Sequence, residues 1–223
     1  MEEGEEGFCS NCLSEIHWIE PPFCSICGIP FISKEVENHP CGTCLTHRKY
    51  FTIARALGAY ERSLQEAIHR WKYKGKVHLT SYFTNWMADG LIHYWGLESL
   101  QLLIPVPLHP QRLRERGFNQ ALLLVRELSR RTGIPYEKRI LQKKKPTVPQ
   151  VNLSGAEREK ELRGAFLVSR QEDLEGKVVL LVDDVYTTGA TVNECSKVLL
   201  RGGAKRVDVL TLAHALKTSS FGI

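Results

Sequence analysis

The chain has 223 residues, a formal net charge of +5 and 43% hydrophobic residues, enough for one packed domain of ordinary size plus a small module. No apolar run approaches the ~20 residues of a membrane span, and the N-terminus lacks the charged-then-apolar order of a signal peptide. The expectation is therefore a cytoplasmic protein without a membrane span. Charge is spread unevenly: residues 1–50 hold eight acidic residues against three basic ones, while residues 105–150 hold eleven Lys and Arg against three Glu. Phosphates are expected at the basic half.

The first 50 residues read as a module of their own, leaving 51–223 as the main domain. Six of the seven cysteines fall there as three C-x-x-C pairs, Cys9/Cys12, Cys24/Cys27 and Cys41/Cys44. In a cytosolic chain such pairs argue for structural zinc rather than disulfides, and so short a segment needs the metal to hold a core. Cys24-Ser-Ile-Cys27-Gly28, followed by Cys41-Gly42-Thr43-Cys44, looks like the two knuckles of a zinc ribbon. Cys9 and Cys12 then form half of a second ribbon, or they pair with Cys24/Cys27 and leave Cys41/Cys44 spare. His17, His39 and His47 are candidate further ligands, although a histidine in a polar loop is more often simply solvated.

A strand is expected over Thr52–Tyr60, then helices over Arg62–Lys72 and Leu79–Tyr94. Between the helices, Trp71-Lys72-Tyr73-Lys74-Gly75-Lys76 interleaves rings with cations. That pattern suits phosphate or stacked bases, and equally suits a helix C-terminus beside packed rings. Leu102–Pro107 reads as a buried strand closed by prolines. The loop behind it carries Arg112, Arg114 and Arg116 at alternate positions, where three guanidinium forks can converge on a polyanion. Leu141–Phe166 has two prolines, three successive lysines and few apolar residues in its first half, so a mobile excursion is expected. Cys195 reads as a small packed residue.

The most informative stretch is Val178–Thr191, VVLLVDDVYTTGAT. A continuous β-branched and leucine run suits a strand covered on both faces. The small residues Thr187, Thr188, Gly189, Ala190 and Thr191 then lead into a helix whose first-turn N–H groups lack intrahelical partners, which makes a phosphate cradle. Asp183 and Asp184 are placed to accept from ribose hydroxyls or to hold Mg²⁺. A P-loop is disfavoured because no G-x-x-x-x-G-K-[ST] pattern is present, and a dinucleotide fold because no G-x-G-x-x-G follows a strand.

This stretch resembles the phosphoribosyl-pyrophosphate signature of type I phosphoribosyltransferases. The run Pro105-Val106-Pro107, then Arg112-Leu-Arg114-Glu-Arg116-Gly117-Phe118-Asn119-Gln120, resembles the ComF family in detail. So do Thr147, Gln150, Leu153, Arg158 and Ala165-Phe166, with departures at Glu161, where that family usually has Asn before Ala-Phe, and at Lys144 or Lys145, where it usually has Arg. The resemblance implies an α/β type I phosphoribosyltransferase fold, a central parallel sheet flanked by helices, with an N-terminal Cys-rich zinc ribbon. It implies a flexible loop that closes over the substrate. It also implies phosphoribosyl pyrophosphate or a related sugar phosphate as ligand, with Mg²⁺, and a role in DNA uptake during natural transformation. In the enzymatic reading Asp183 and Asp184 hold the ribose diol and Mg²⁺, residues 187–191 hold the 5-phosphate, and the three arginines face the pyrophosphate or an incoming anion. The alternative is a non-catalytic module that binds single-stranded DNA or an uptake helicase, with the sugar-phosphate site regulatory or vestigial.

Overall fold

The computed structural model describes residues 7–33, 37–145 and 155–216. In chain order the elements are α1 (Ser10–Ser14), α2 (Gly42–Thr46), β1 (Ala54–Ala59), α3 (Arg62–Tyr73), α4 (Leu79–Trp95), β2 (Leu102–Pro105), α5 (Pro110–Arg116) and α6 (Gln120–Thr132). Then come β3 (Leu141–Lys143), α7 (Gly155–Leu162), β4 (Phe166–Val168), β5 (Val178–Tyr186), α8 (Ala190–Arg201) and β6 (Arg206–His214). A four-stranded parallel sheet has the order β1-β6-β5-β2, and β3 and β4 form a separate antiparallel pair.

Side chains alternate across a strand, and β5 uses this to join two cores. Val179 and Leu181 face the core built with α8, the β3–β4 pair and the cysteine module. Leu180 and Val182 face the core under α3, α4 and α6. The connection from β5 through α8 to β6 thus lies on one face, and α6, the second helix after β2, lies on the other. A crevice at such a switch point, outside the carboxyl ends of the strands, is where open α/β sheets bind ligands.

On α3 the buried positions are Leu64, Ala67, Ile68 and Trp71, the apolar stripe of the sequence. Trp71 is fully buried; its indole Nε1 donates to Thr80 Oγ1 at 3.0 Å and its ring meets Phe83 edge-on. It pins α3 to α4 and offers no face to a base.

The cysteine module is knitted into the sheet edge. Ile19 N donates to Leu57 O at 2.8 Å and Ala54 N to Ile26 O at 2.6 Å. Arg55 lies beneath it, donating to Ala54 O and Ser25 O, with its guanidinium over the Phe23 ring at 4.6 Å. Gly28 is required at this join: its φ is +73° and a Cβ there would lie 2.7 Å from Ala54 O.

One expectation changes. The arginine segment is helix α5, not loop. Pro110 at its first position has a preset φ, and Gly117 closes it in the left-handed conformation. The stretch Leu141–Phe166 is anchored at both ends, because Leu141, Leu162, Ala165 and Phe166 are buried. Thr147, Gln150, Leu153 and the Arg158 side chain lie outside the described residues.

His214 ends β6 almost fully buried, its ring 4.5 Å from that of Tyr186 and its Nε2 without a partner among the described residues. Burial lowers its pKa to about 4. A folded-state value below the unfolded ~6.5 gives stability that is present above pH ~6.5 and lost as pH falls toward the folded value. Urea titrations should therefore show the advantage of wild type over His214→Gln shrinking by about 2 kcal/mol between pH 7 and pH 5. A constant difference would contradict this.

Candidate functional site

Strand β5 outruns its neighbour. Pro105, the last residue of β2, pairs with Val182, whereas β5 continues alongside β6 to Tyr186. Asp183 and Asp184 therefore lie inside the strand rather than after it, at the mouth of the crevice. Alternation sends them to opposite faces. Asp184 faces the α3 side, where Lys72 Nζ lies 2.8 Å from its Oδ1, with the side chains 14% and 13% exposed. Asp183 faces the α8 side; its Oδ1 accepts from Asp184 N at 2.9 Å, and Lys143 of β3 lies within its electrostatic reach.

The charges explain the protonation. Burial, and then the Asp184 charge, push Asp183 up to about 7 against the pull of Lys72 and Lys143. Burial alone would lower the Lys72 ammonium, but Asp184, Asp183 and Tyr60 raise it above its ordinary value. Burial lowers Lys143, partly offset by Cys195 and Asp183. Carboxylate oxygens are hard donors of the kind Mg²⁺ accepts, and these two stand beside a hydroxyl-bearing turn.

That turn is Thr187–Gly189. Gly189 caps α8 with φ +76°, and a Cβ there would strike the Tyr186 hydroxyl. Thr188 Oγ1 accepts from Ala190 N at 3.4 Å. Ala190 and Thr191 begin the helix, which runs twelve residues with Cys195 wholly buried beneath it. Burial raises the Cys195 thiol well above its usual range, as suits an inert packed residue.

Beside Asp184 opens a cavity of about 210 Å³ lined by Lys72, Tyr73, Arg112, Glu115, Arg116 and Phe118, among others. Arg112 and Arg116 reach it together because they sit four apart on α5. Arg114, half a turn away, is exposed and does not line it. Arg116 Nη1 donates to Gln120 Oε1 at 2.6 Å and Nη2 to Tyr73 Oη at 2.9 Å. Asn119 caps α6 and donates to Val106 O at 3.1 Å, so it fixes the α5–α6 elbow. A larger hollow of about 470 Å³ between α4 and α6 shares none of these residues.

In the cysteine module the Sγ atoms of Cys24, Cys27, Cys41 and Cys44 all lie within 4.8 Å of one another. Cys27 Sγ and Cys41 Sγ are 3.7 Å apart, close to the ~3.8 Å edge of a tetrahedron with Zn–S bonds of ~2.3 Å. The Cys27 thiol, then the N–H groups of Cys27 and Cys41, pull Cys24 down to about 4 against the effect of burial. These four are a structural zinc site. Cys9 and Cys12 stand outside it, with Cys12 N donating to Cys9 Sγ at 3.5 Å. The histidines do not complete a second site among the described residues: His17 pairs with Glu61, His39 stacks on Phe31 and His47 bonds to Thr46.

Sequence reasoning passed over Lys143 and left Lys72 undecided between a phosphate role and a helix-end cation. A family model for a phosphoribosyl transferase domain matches residues 119–220, and one for a double zinc ribbon domain matches residues 1–45. The class is thereby defined: a type I phosphoribosyltransferase fold carrying an N-terminal zinc ribbon. The chain is 33% identical over 217 residues to "Competence protein F" of Haemophilus influenzae, spanning 95% of this chain and 92% of that one. It is 31% identical to "DNA utilization protein YhgH" of Escherichia coli over 96% and 92% of the two chains. To "Competence protein ComFC" of Bacillus subtilis it is 29% identical over 95% and 85%. The chain belongs to the ComF family.

Purified protein should carry one zinc per chain by metal analysis. Cys41→Ser should lose it and melt at lower temperature, whereas Cys9→Ser should keep full zinc content. Equal loss in both variants would mean that Cys9 belongs to the same site.

Proposed function

We propose that the chain binds phosphoribosyl pyrophosphate, or a related sugar phosphate, at the end of β5. The observation that carries this is the acid pair between a hydroxyl-bearing helix N-terminus and a basic cavity. In this reading the first-turn N–H groups of α8, with Thr187, Thr188 and Thr191, receive the 5-phosphate. Asp183 and Asp184 accept from the ribose diol. Lys72, Arg112 and Arg116 face the pyrophosphate, the two guanidiniums offering paired donors. Bound Mg²⁺ would neutralise pyrophosphate charge and help it leave. Phosphoribosyl transfer to an acceptor needs no protein nucleophile: these residues position the sugar and stabilise separating charge. The relatives' names, "Competence protein F" and "DNA utilization protein YhgH", support reading this activity as one that serves the handling of DNA.

Isothermal titration should detect phosphoribosyl pyrophosphate in the presence of Mg²⁺. Asp184→Asn should weaken binding at least tenfold, and Arg116→Ala should weaken it more than Arg114→Ala. Wild-type-like binding by Asp184→Asn would remove the assignment.

A second reading is favoured by the words "DNA utilization" in the name of a relative and by the concentration of cations around the cavity. Single-stranded DNA would follow Lys72, Lys74, Lys76 and the α5 arginines through its phosphates. The acidic balance of the ribbon sets that module aside from the track. A band-shift across a salt series should show retardation that fades as salt rises; no shift at low salt would end this reading.

A further inference from the structure

Two adjacent carboxylates in a partly buried strand repel one another, and each faces a lysine. The Lys72 contact differs from that of Lys143 in being a direct ion pair with Asp184, both side chains largely withdrawn from water. Lys72 also lines the cavity shared with Arg112 and Arg116, so the same side chain borders the space open to an anion and ends at the acid pair. The groups around it are Asp184, Asp183 and Tyr60 on the strand side and Tyr73, Arg112, Glu115 and Arg116 on the cavity side. Glu115 is turned toward Arg112, with which it pairs at 3.8 Å.

We propose that Lys72 is a built-in counter-cation that closes Asp184 to divalent metal until an anionic ligand draws the ammonium into the cavity. With the cavity empty, the ammonium holds the place beside Asp184 Oδ1 that a cation would take, so a divalent ion meets a carboxylate already paired. A pyrophosphate-like group arriving between Arg112 and Arg116 offers Lys72 a second anionic partner. Its move toward that partner bares Asp184 for cation and diol together. Metal and anion therefore enter as a unit, and metal alone is refused. This deepens the sugar-phosphate reading by naming what orders the two ligands.

The test uses Mn²⁺ alone, followed by the electron paramagnetic resonance signal of the free ion. Wild type should bind Mn²⁺ weakly. Lys72→Met, which keeps the stem and removes the charge, should bind it at least tenfold more tightly. Lys72→Arg should behave like wild type, and Lys205→Met, exposed at the opposite end of the sheet, should change nothing. Circular dichroism shows whether each variant is folded. If Lys72→Met does not fold, wild type against Asp184→Asn still decides: the proposal expects equally weak Mn²⁺ binding by both. Tight Mn²⁺ binding by wild type that Asp184→Asn abolishes would overturn it, as would equal affinities in wild type and folded Lys72→Met. No sugar phosphate is present, so these outcomes stand apart from the titration with phosphoribosyl pyrophosphate, whose failure alone would remove only that ligand.

Discussion

The ion pair between Lys72 and Asp184 is the constraint around which the domain is arranged. Two like charges at consecutive positions of a partly buried strand are tolerable only if compensated, and removing one partner of a buried pair typically costs about 3–5 kcal/mol. Alternation along β5 lets compensation come from both sides, Lys72 of α3 on one face and Lys143 of β3 on the other. The pair thereby fixes the C-terminal end of α3 over the sheet, together with Trp71 and its bond to Thr80. Fold and site share one electrostatic solution.

The same economy governs the run Arg116-Gly117-Phe118-Asn119-Gln120. Read as a binding loop, it would be five ligands. In the fold Gly117 ends α5, Asn119 begins α6, and buried Gln120 receives Arg116. Only Arg116 and Phe118 of these five line the cavity. The motif is an elbow that aims two guanidiniums, and its sequence specificity belongs as much to the turn as to any ligand.

The parts legible in the sequence were those set by local pattern. The uninterrupted apolar run of β5, the stripe Leu64, Ala67, Ile68 and Trp71, and the spacing of Cys24/Cys27 with Cys41/Cys44 each follow from a period or a ligand geometry. What escaped depended on tertiary neighbours. Alternate arginines suggested convergence for an extended backbone; Pro110 and Gly117 made that backbone helical and turned Arg114 away. Lys72 lies 112 positions before its partner, so no short-range signal couples them. Lys143 was one lysine among three until β3–β4 pairing brought it near Asp183. The choice among cysteine pairs was open because spacing counts ligands without placing them.

Tyr186 adds a link between the two halves of the molecule. Its phenol fills the space beneath Gly189, its ring meets Phe51 and His214, and burial, then the nearby ribbon cysteines, raise its pKa well above the usual range. The main-chain strap from the ribbon is tied to α8 as well, Tyr50 N donating to Asn193 Oδ1 at 2.7 Å. The floor of the turn that opens α8 is thus laid on masonry whose keystone is the four-cysteine zinc site. A chelator that never enters the crevice would reach it from below.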